Sequence, residues 1–238
     1  MPVSARGDAG VYRHLMRRLF ERRVDGLLLS SPEDVGAELE TFHAAGTPVL
    51  GLLRHGPGAE EVPIVTAAVG AARTAALRRL GDLGHTRVAT IGRDFVSSEV
   101  ESNAAAAGVE LVAHQTASRE SPEAFAAAVR DLATGPRRAT GFIVDYPRSS
   151  MLVGVLRELG IEVPDAASVV TFTESRLTAG LIYPPMAAID VDTHEIGRRA
   201  SAVIADWVDG TPPPPVTALD VARFIERPSI GPAPSGDS

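Results

Sequence analysis

The sequence predicts an α/β fold, either one parallel sheet covered by helices on both faces or two such sheets side by side. Three observations carry this. Residues Ala71 to Gly92 read as an amphipathic helix, a glycine stop and a buried strand in immediate succession, which is half of a βαβ unit. Short apolar runs separated by helical periodicity then recur along the chain, a pattern that favours parallel pairing. Finally, 238 residues with 45% hydrophobic content suffice to bury a sizeable core.

Val11, Leu15 and Leu19, with Tyr12, Met16 and Phe20 beside them, form the apolar face of a first helix. The arginines at 13, 17, 18, 22 and 23 are read as its solvated side rather than as a nucleic-acid patch, since the chain carries a net charge of -7. Val24 to Ser30 follows as a buried strand. Ser31 is placed to N-cap the next helix, with Pro32 at its first position and Glu33 and Asp34 favouring its positive end; Gly46 stops it and Val35, Leu39 and Phe42 face the core. Strands are expected at Pro48 to Leu53 and Pro63 to Val65. Val69, Ala72, Ala76, Leu80 and Leu83 then give helical spacing, Gly84 takes the left-handed C-cap, His85 is read as a surface residue in the turn, and Val88 to Ile91 is a strand.

In the second half a short helix is expected at Ser98 to Ala107, a strand at Val109 to Val112, and a helix opened by Ser121 and Pro122 with Phe125, Val129 and Leu132 inward. Thr140 to Val144 reads as a strand, followed by a helix closing at Gly160 and strands at Ser168 to Phe172 and Ala187 to Val191. Asp192 or Thr193 caps a helix with Ile196, Ala200, Val203 and Trp207 on one stripe, ending near Gly210. Pro212 to Pro215 form a stiff spacer before one final strand, Val216 to Phe224, and residues 231–238 are expected to be a disordered tail.

Composition narrows the chemistry. The chain has no cysteine, so disulfides, thiolate nucleophiles and Cys-ligated metals are excluded. All 23 basic residues are arginine, which excludes a lysine Schiff base or a P-loop lysine. No apolar run reaches the roughly 20 residues that span a bilayer, and no apolar signal core opens the chain, so no membrane partner and a cytoplasmic location are expected. The sequence holds no G-x-S-x-G, G-x-G-x-x-G, Walker or H-E-x-x-H motif, so it is read as a non-enzyme with no cofactor. The six histidines lie apart, and Asp190, Asp192 and Glu195 are read as capping and dipole-compensating residues, so no metal is expected.

Leu83, Gly84 and His85 form a Leu-Gly-His turn between helix and strand, and four further passages, Glu21 to Leu29 (ERRVDGLLL), Gly46 to Leu53 (GTPVLGLL), Leu156 to Phe172 (LRELGIEVPDAASVVTF) and Tyr183 to Ile204 (YPPMAAIDVDTHEIGRRASAVI), carry a resemblance to one family and keep its order along the chain. The sequence resembles the effector domain of the LacI/GalR family of bacterial transcription regulators. The resemblance implies a two-lobed, periplasmic-binding-protein-like (type I) fold, a homodimer in the family's manner, and a sugar- or purine-like effector held between the lobes. By the same resemblance DNA is contacted only through a separate helix-turn-helix headpiece. The lobes are expected at 1–84 plus 189–211 and at 85–188 plus 212–230. The headpiece, the hinge and the first strand, helix and second strand of lobe one have no counterpart in the chain. A late-assigned start, a truncated paralogue or completion by a partner are the alternatives, in that order.

The implied effector site departs from the family's pattern. Val69 precedes Gly70 where an Asp is usual. Ser98 is kept, but Ser102 stands where an Arg is usual; Asp145-Tyr146 replaces Asn-Asp, and Thr173-Glu174 replaces Asp-Asp. Ser98, Ser102, Asp145, Tyr146, Thr173 and Glu174 are therefore the candidate effector-binding residues, with a sugar held by Asp145, Thr173 and Glu174. The competing readings are ordinary solvated strand ends in a degenerate pocket, and a transport-type solute-binding protein.

Overall fold

A computed structural model describes residues 9–30, 36–53, 58–92, 98–114, 121–146, 148–173 and 183–235. The described chain runs α1 (Ala9–Glu21), β1 (Leu27–Leu29), α2 (Gly36–Ala44), β2 (Val49–Leu52), β3 (Ile64–Ala67), α3 (Gly70–Asp82), β4 (Arg87–Ile91), α4 (Ser98–Ala106), β5 (Glu110–His114), α5 (Pro122–Thr134), β6 (Gly141–Asp145), α6 (Ser149–Glu158), β7 (Ser168–Thr173), β8 (Ala187–Val191), α7 (Thr193–Val208), β9 (Val216–Leu219) and β10 (Ala222–Ile225). The α/β alternation expected from the sequence is present.

The chain divides into two units. Residues 1–68 and 193–221 form the first, and residues 69–192 and 222–238 the second. The first holds a parallel sheet ordered β1-β2-β3-β9. Met16, Leu19, Leu27, Leu39, Phe42 and Val49 make its core, and Phe20 meets the Phe42 ring edge-on at 5.5 Å. All five α1-side arginines are exposed, as their reading as a solvated face anticipated. Val11 is 45% exposed and lies outside that core.

The second unit holds a sheet ordered β10-β8-β7-β6-β4-β5, parallel except where β10 runs antiparallel to β8. Both faces are buried, as a parallel sheet requires. Phe142, Val144 and Val169 pack under Phe125, Val129, Leu152 and Leu156 of α5 and α6. Val88, Ile143, Val170 and Ile189 pack under Leu77, Leu80 and Ala104 of α3 and α4. Ser121 caps α5 as expected: its hydroxyl accepts from the Ala124 N–H at 3.2 Å, with Pro122 in the first turn. Gly84 adopts φ +90, the left-handed stop predicted for α3. The predicted Ser31 to Val35 capping segment lies outside the described residues.

The lobe boundaries need correcting. Helix α3 was expected in the first lobe, yet Ala72, Ala76, Leu77 and Leu80 bury their stripe on the six-stranded sheet. Strand β8, assigned from residue 189 to the first lobe, pairs with β7 and β10 in the second. The single strand expected at Val216 to Phe224 is two strands. β9 pairs parallel to β3 in the first unit, the Val221 N–H closes a turn onto the Leu219 carbonyl at 3.0 Å, and β10 joins β8 in the second unit.

His85 and the tail are the other corrections. His85 is not a surface residue: only 1% of it is exposed. Its Nδ1 lies 2.9 Å from Thr140 Oγ1, and its Nε2 lies 2.8 Å from Ser168 Oγ and 3.1 Å from the Gly231 carbonyl. A carbonyl only accepts, so Nε2 carries a hydrogen. Residues 231–235 are not a loose tail. The Gly231 N–H donates to Ser168 Oγ at 3.0 Å and the Ala233 N–H to the Leu83 carbonyl at 2.8 Å. Just upstream, buried Ser229 donates to the Val169 carbonyl and accepts from the Ala187 N–H at 2.8 Å. The C-terminal segment thus straps the amino ends of β6, β7 and β8.

Candidate functional site

In an open parallel sheet, loops leaving the carboxyl ends of the strands collect the groups that meet ligands. In the second unit β6 ends at Asp145, and the Tyr146 N–H donates to the Phe172 carbonyl at 2.9 Å, holding the strand end against β7. The Arg148 N–H then donates to the Asp145 carbonyl at 3.0 Å, a tight turn that opens α6 at Ser149. That turn brings Arg148 back over Asp145. Its Nη1 donates to Oδ2 at 2.9 Å and to Oδ1 at 3.3 Å, with about a quarter of each side chain exposed (24% and 25%). The Arg148 guanidinium carbon lies 5.9 Å from the centroid of the buried Phe125 ring, which fixes it from the α5 side.

Phe172 is the register partner of Asp145, and the Arg73 guanidinium carbon of α3 lies 5.9 Å from its ring centroid. One strand further, Asp190 pairs with Thr173 and with Arg223 of β10, and is itself 1% exposed. Alternation along β8 sends Asp190 to the sheet face opposite Ile189 and hence opposite Phe172. The hydroxyl of Ser149, fully buried at the start of α6, has no hydrogen-bond partner among the described residues; nor do those of Thr90 and Thr171.

Of the six residues expected in the site, Asp145 and Tyr146 stand together at the end of β6, with Tyr146 38% exposed. Thr173 is the last residue of β7, next to the Asp145 partner Phe172; its side chain lies outside the described residues. Glu174 lies outside them altogether, as does the side chain of Ser98, the first residue of α4. Ser102 is exposed on α4 and shares no hydrogen bond with Asp145 or Tyr146. The Asp145 carboxylate, expected with Thr173 and Glu174 to hold a sugar, is engaged by Arg148. The signal for Arg148 was in the sequence: an Asp-x-x-Arg spacing across a strand-to-helix turn. Arg73 had no such signal, since only the fold lays α3 over β7.

Elsewhere, Glu195 forms a two-pronged ion pair with Arg198 at 2.6 to 2.7 Å. Among the described residues no three His, Asp or Glu side chains are grouped to hold a metal ion, and no helix is long and apolar enough to cross a membrane.

Residues 77–230 match the family profile described as a periplasmic binding protein-like domain. Over 110 residues the chain is 33% identical to a probable opine utilization operon repressor of Rhizobium rhizogenes, covering 45% of this chain and 55% of that protein. Over 241 aligned positions it is 25% identical to the HTH-type transcriptional regulator MalR of Streptomyces coelicolor, covering 92% and 68%. The chain thus spans about half the length of the first of these regulators. Among solved structures it is similar to the transcription regulator CcpA of Lactococcus lactis (TM-score 0.77, 18% identity, 96% and 86% covered). It is also similar to a periplasmic binding protein/LacI transcriptional regulator of Alkaliphilus metalliredigens complexed with D-xylulofuranose (TM-score 0.73, 15% identity, 94% and 84% covered). At these identities the structural likeness establishes the fold.

Proposed function

Since the chain belongs to the periplasmic binding protein-like domain family, we propose that it is the effector-binding and dimerisation core of a LacI-type transcriptional regulator. The observation that carries this reading is the path of the chain. It passes between the two units at residues 68/69, 192/193 and 221/222, so that each unit is assembled from separated segments. Similarity to a MalR regulator over 92% of this chain and 68% of that protein, and to an operon repressor over 45% and 55%, favours the regulatory branch of the family over transport.

In this reading a small molecule of sugar or nucleoside type binds at the carboxyl ends of the second unit's strands, where Asp145, Tyr146 and Arg148 gather. Ser98, Ser102, Thr173 and Glu174 remain members of the proposed site. The neighbour that carries D-xylulofuranose favours a sugar-like ligand. The protein acts in the cytoplasm as a homodimer without catalysing a reaction, and DNA is held by a headpiece that these residues do not supply. An effector that binds the folded state alone raises the melting temperature by mass action. A melt against a panel of mono- and disaccharides, sugar acids and nucleosides is expected to single out one class. In parallel, residues 1–238 alone are expected to give no sequence-selective mobility shift at physiological salt. No shift from any panel member, or tight selective DNA binding by these residues alone, contradicts the reading.

A further inference from the structure

We propose that the effector carries a carboxylate or other anionic group and that Arg148 selects for it; this rests on the effector-binding reading above. Asp145 occupies only Nη1 of the Arg148 guanidinium. The edge formed by Nε and Nη2, the pair of parallel donors that matches a carboxylate fork, has no partner among the described residues. Phe125 holds the guanidinium plane from one side, and a 24% exposed side chain is reachable by a ligand while partly shielded from water. Arg73 brings a second guanidinium to the same edge of the sheet, over the register partner of Asp145. Asp190 projects to the face opposite Phe172 and is buried. A neutral sugar arriving here meets an acceptor already engaged and a donor edge that its hydroxyls satisfy poorly. An anionic group satisfies that edge with two charge-assisted bonds and leaves the Asp145 pair in place.

Calorimetric titration of the whole chain with matched pairs tests this: D-glucose against D-gluconate and D-glucuronate, and D-xylose against D-xylonate. The acids are expected to bind at least about tenfold more tightly than their neutral partners, since a site built for a paired group rejects the analogue lacking it. The preference falls to parity in Arg148→Gln and survives in part in Arg148→Lys, which keeps the charge and loses the fork. The melting temperatures of the free variants report whether they fold, and added salt weakens the acids selectively. Neutral sugars binding as well as the acids, or an acid preference that persists in folded Arg148→Gln, overturns the selection and leaves the effector reading standing. Binding by no member of either set overturns both.

Discussion

At the amino ends of β6 and β7, His85, Thr140, Ser168 and Ser229 are almost wholly buried and bonded to one another or to the C-terminal strap. A few residues further along the same strands, Asp145 and Arg148 form an ion pair left a quarter exposed, with the Arg148 guanidinium against the buried Phe125 ring. The sheet is common to both ends, so the difference lies in what leaves each strand. At the amino end the polar groups replace missing backbone partners and fix the fold, and leaving any of them unpaired would be costly. At the carboxyl end they sit on a turn and a helix start, make few bonds and keep donors for something else. Stability is concentrated at one edge of the unit and ligand chemistry at the other.

Substitutions can break or sharpen this contrast. Ser229→Ala strands the Val169 carbonyl and the Ala187 N–H inside the protein, at a cost of about 3 kcal/mol. In a chain of this size that lowers the melting temperature by roughly 6–12 °C in a calorimetric scan. His85→Leu removes three bonds and leaves two buried hydroxyls short of a partner, costing about 2 kcal/mol in urea unfolding. Gly81→Ala drives a Cβ into the Ala107 carbonyl, so α3 and α4 must part at the amino edge, with an expected loss of 1–3 kcal/mol, roughly the range for overpacking. By contrast Arg148→Gln at the carboxyl edge costs under about 1 kcal/mol, because a partly exposed pair contributes little. A loss there as large as that of Ser229→Ala would erase the contrast.

The smallest expected effect lies on the outer surface. The Glu123 carboxyl sits below its ordinary 4.5, because its own backbone N–H and the Ser121 hydroxyl hydrogen-bond its charged form. A lowered folded-state value contributes stability fully above 4.5 and loses it as pH falls through the folded value. Glu123→Gln should remove that small contribution at neutral pH and flatten the stability profile below pH 4.5.

The alternation of helices and strands was legible because 3.6- and 2-residue periodicities are local, and Ser121-Pro122 and Gly84 announced their caps in the same way. What was not legible depended on distant partners. His85 meets groups 55, 83 and 146 residues away, so its immediate sequence reads as a solvent turn. Val216 to Phe224 contains no glycine or proline to mark a break, and only pairing with β3 and β8 divides it between two sheets. Asp145 was legible as a strand end. Its engagement by Arg148 was signalled only by the Asp-x-x-Arg spacing, and the turn that closes the pair is supplied by the fold.

The separation of scaffold from site is tested most directly by one measurement, the ligand-induced rise in melting temperature of the wild type, His85→Leu and Arg148→Gln with the same acid and neutral sugars. His85→Leu is expected to melt lower without ligand yet keep the full rise, while Arg148→Gln melts close to wild type and loses the rise from acids. A lost rise in His85→Leu together with an intact one in Arg148→Gln would contradict that separation.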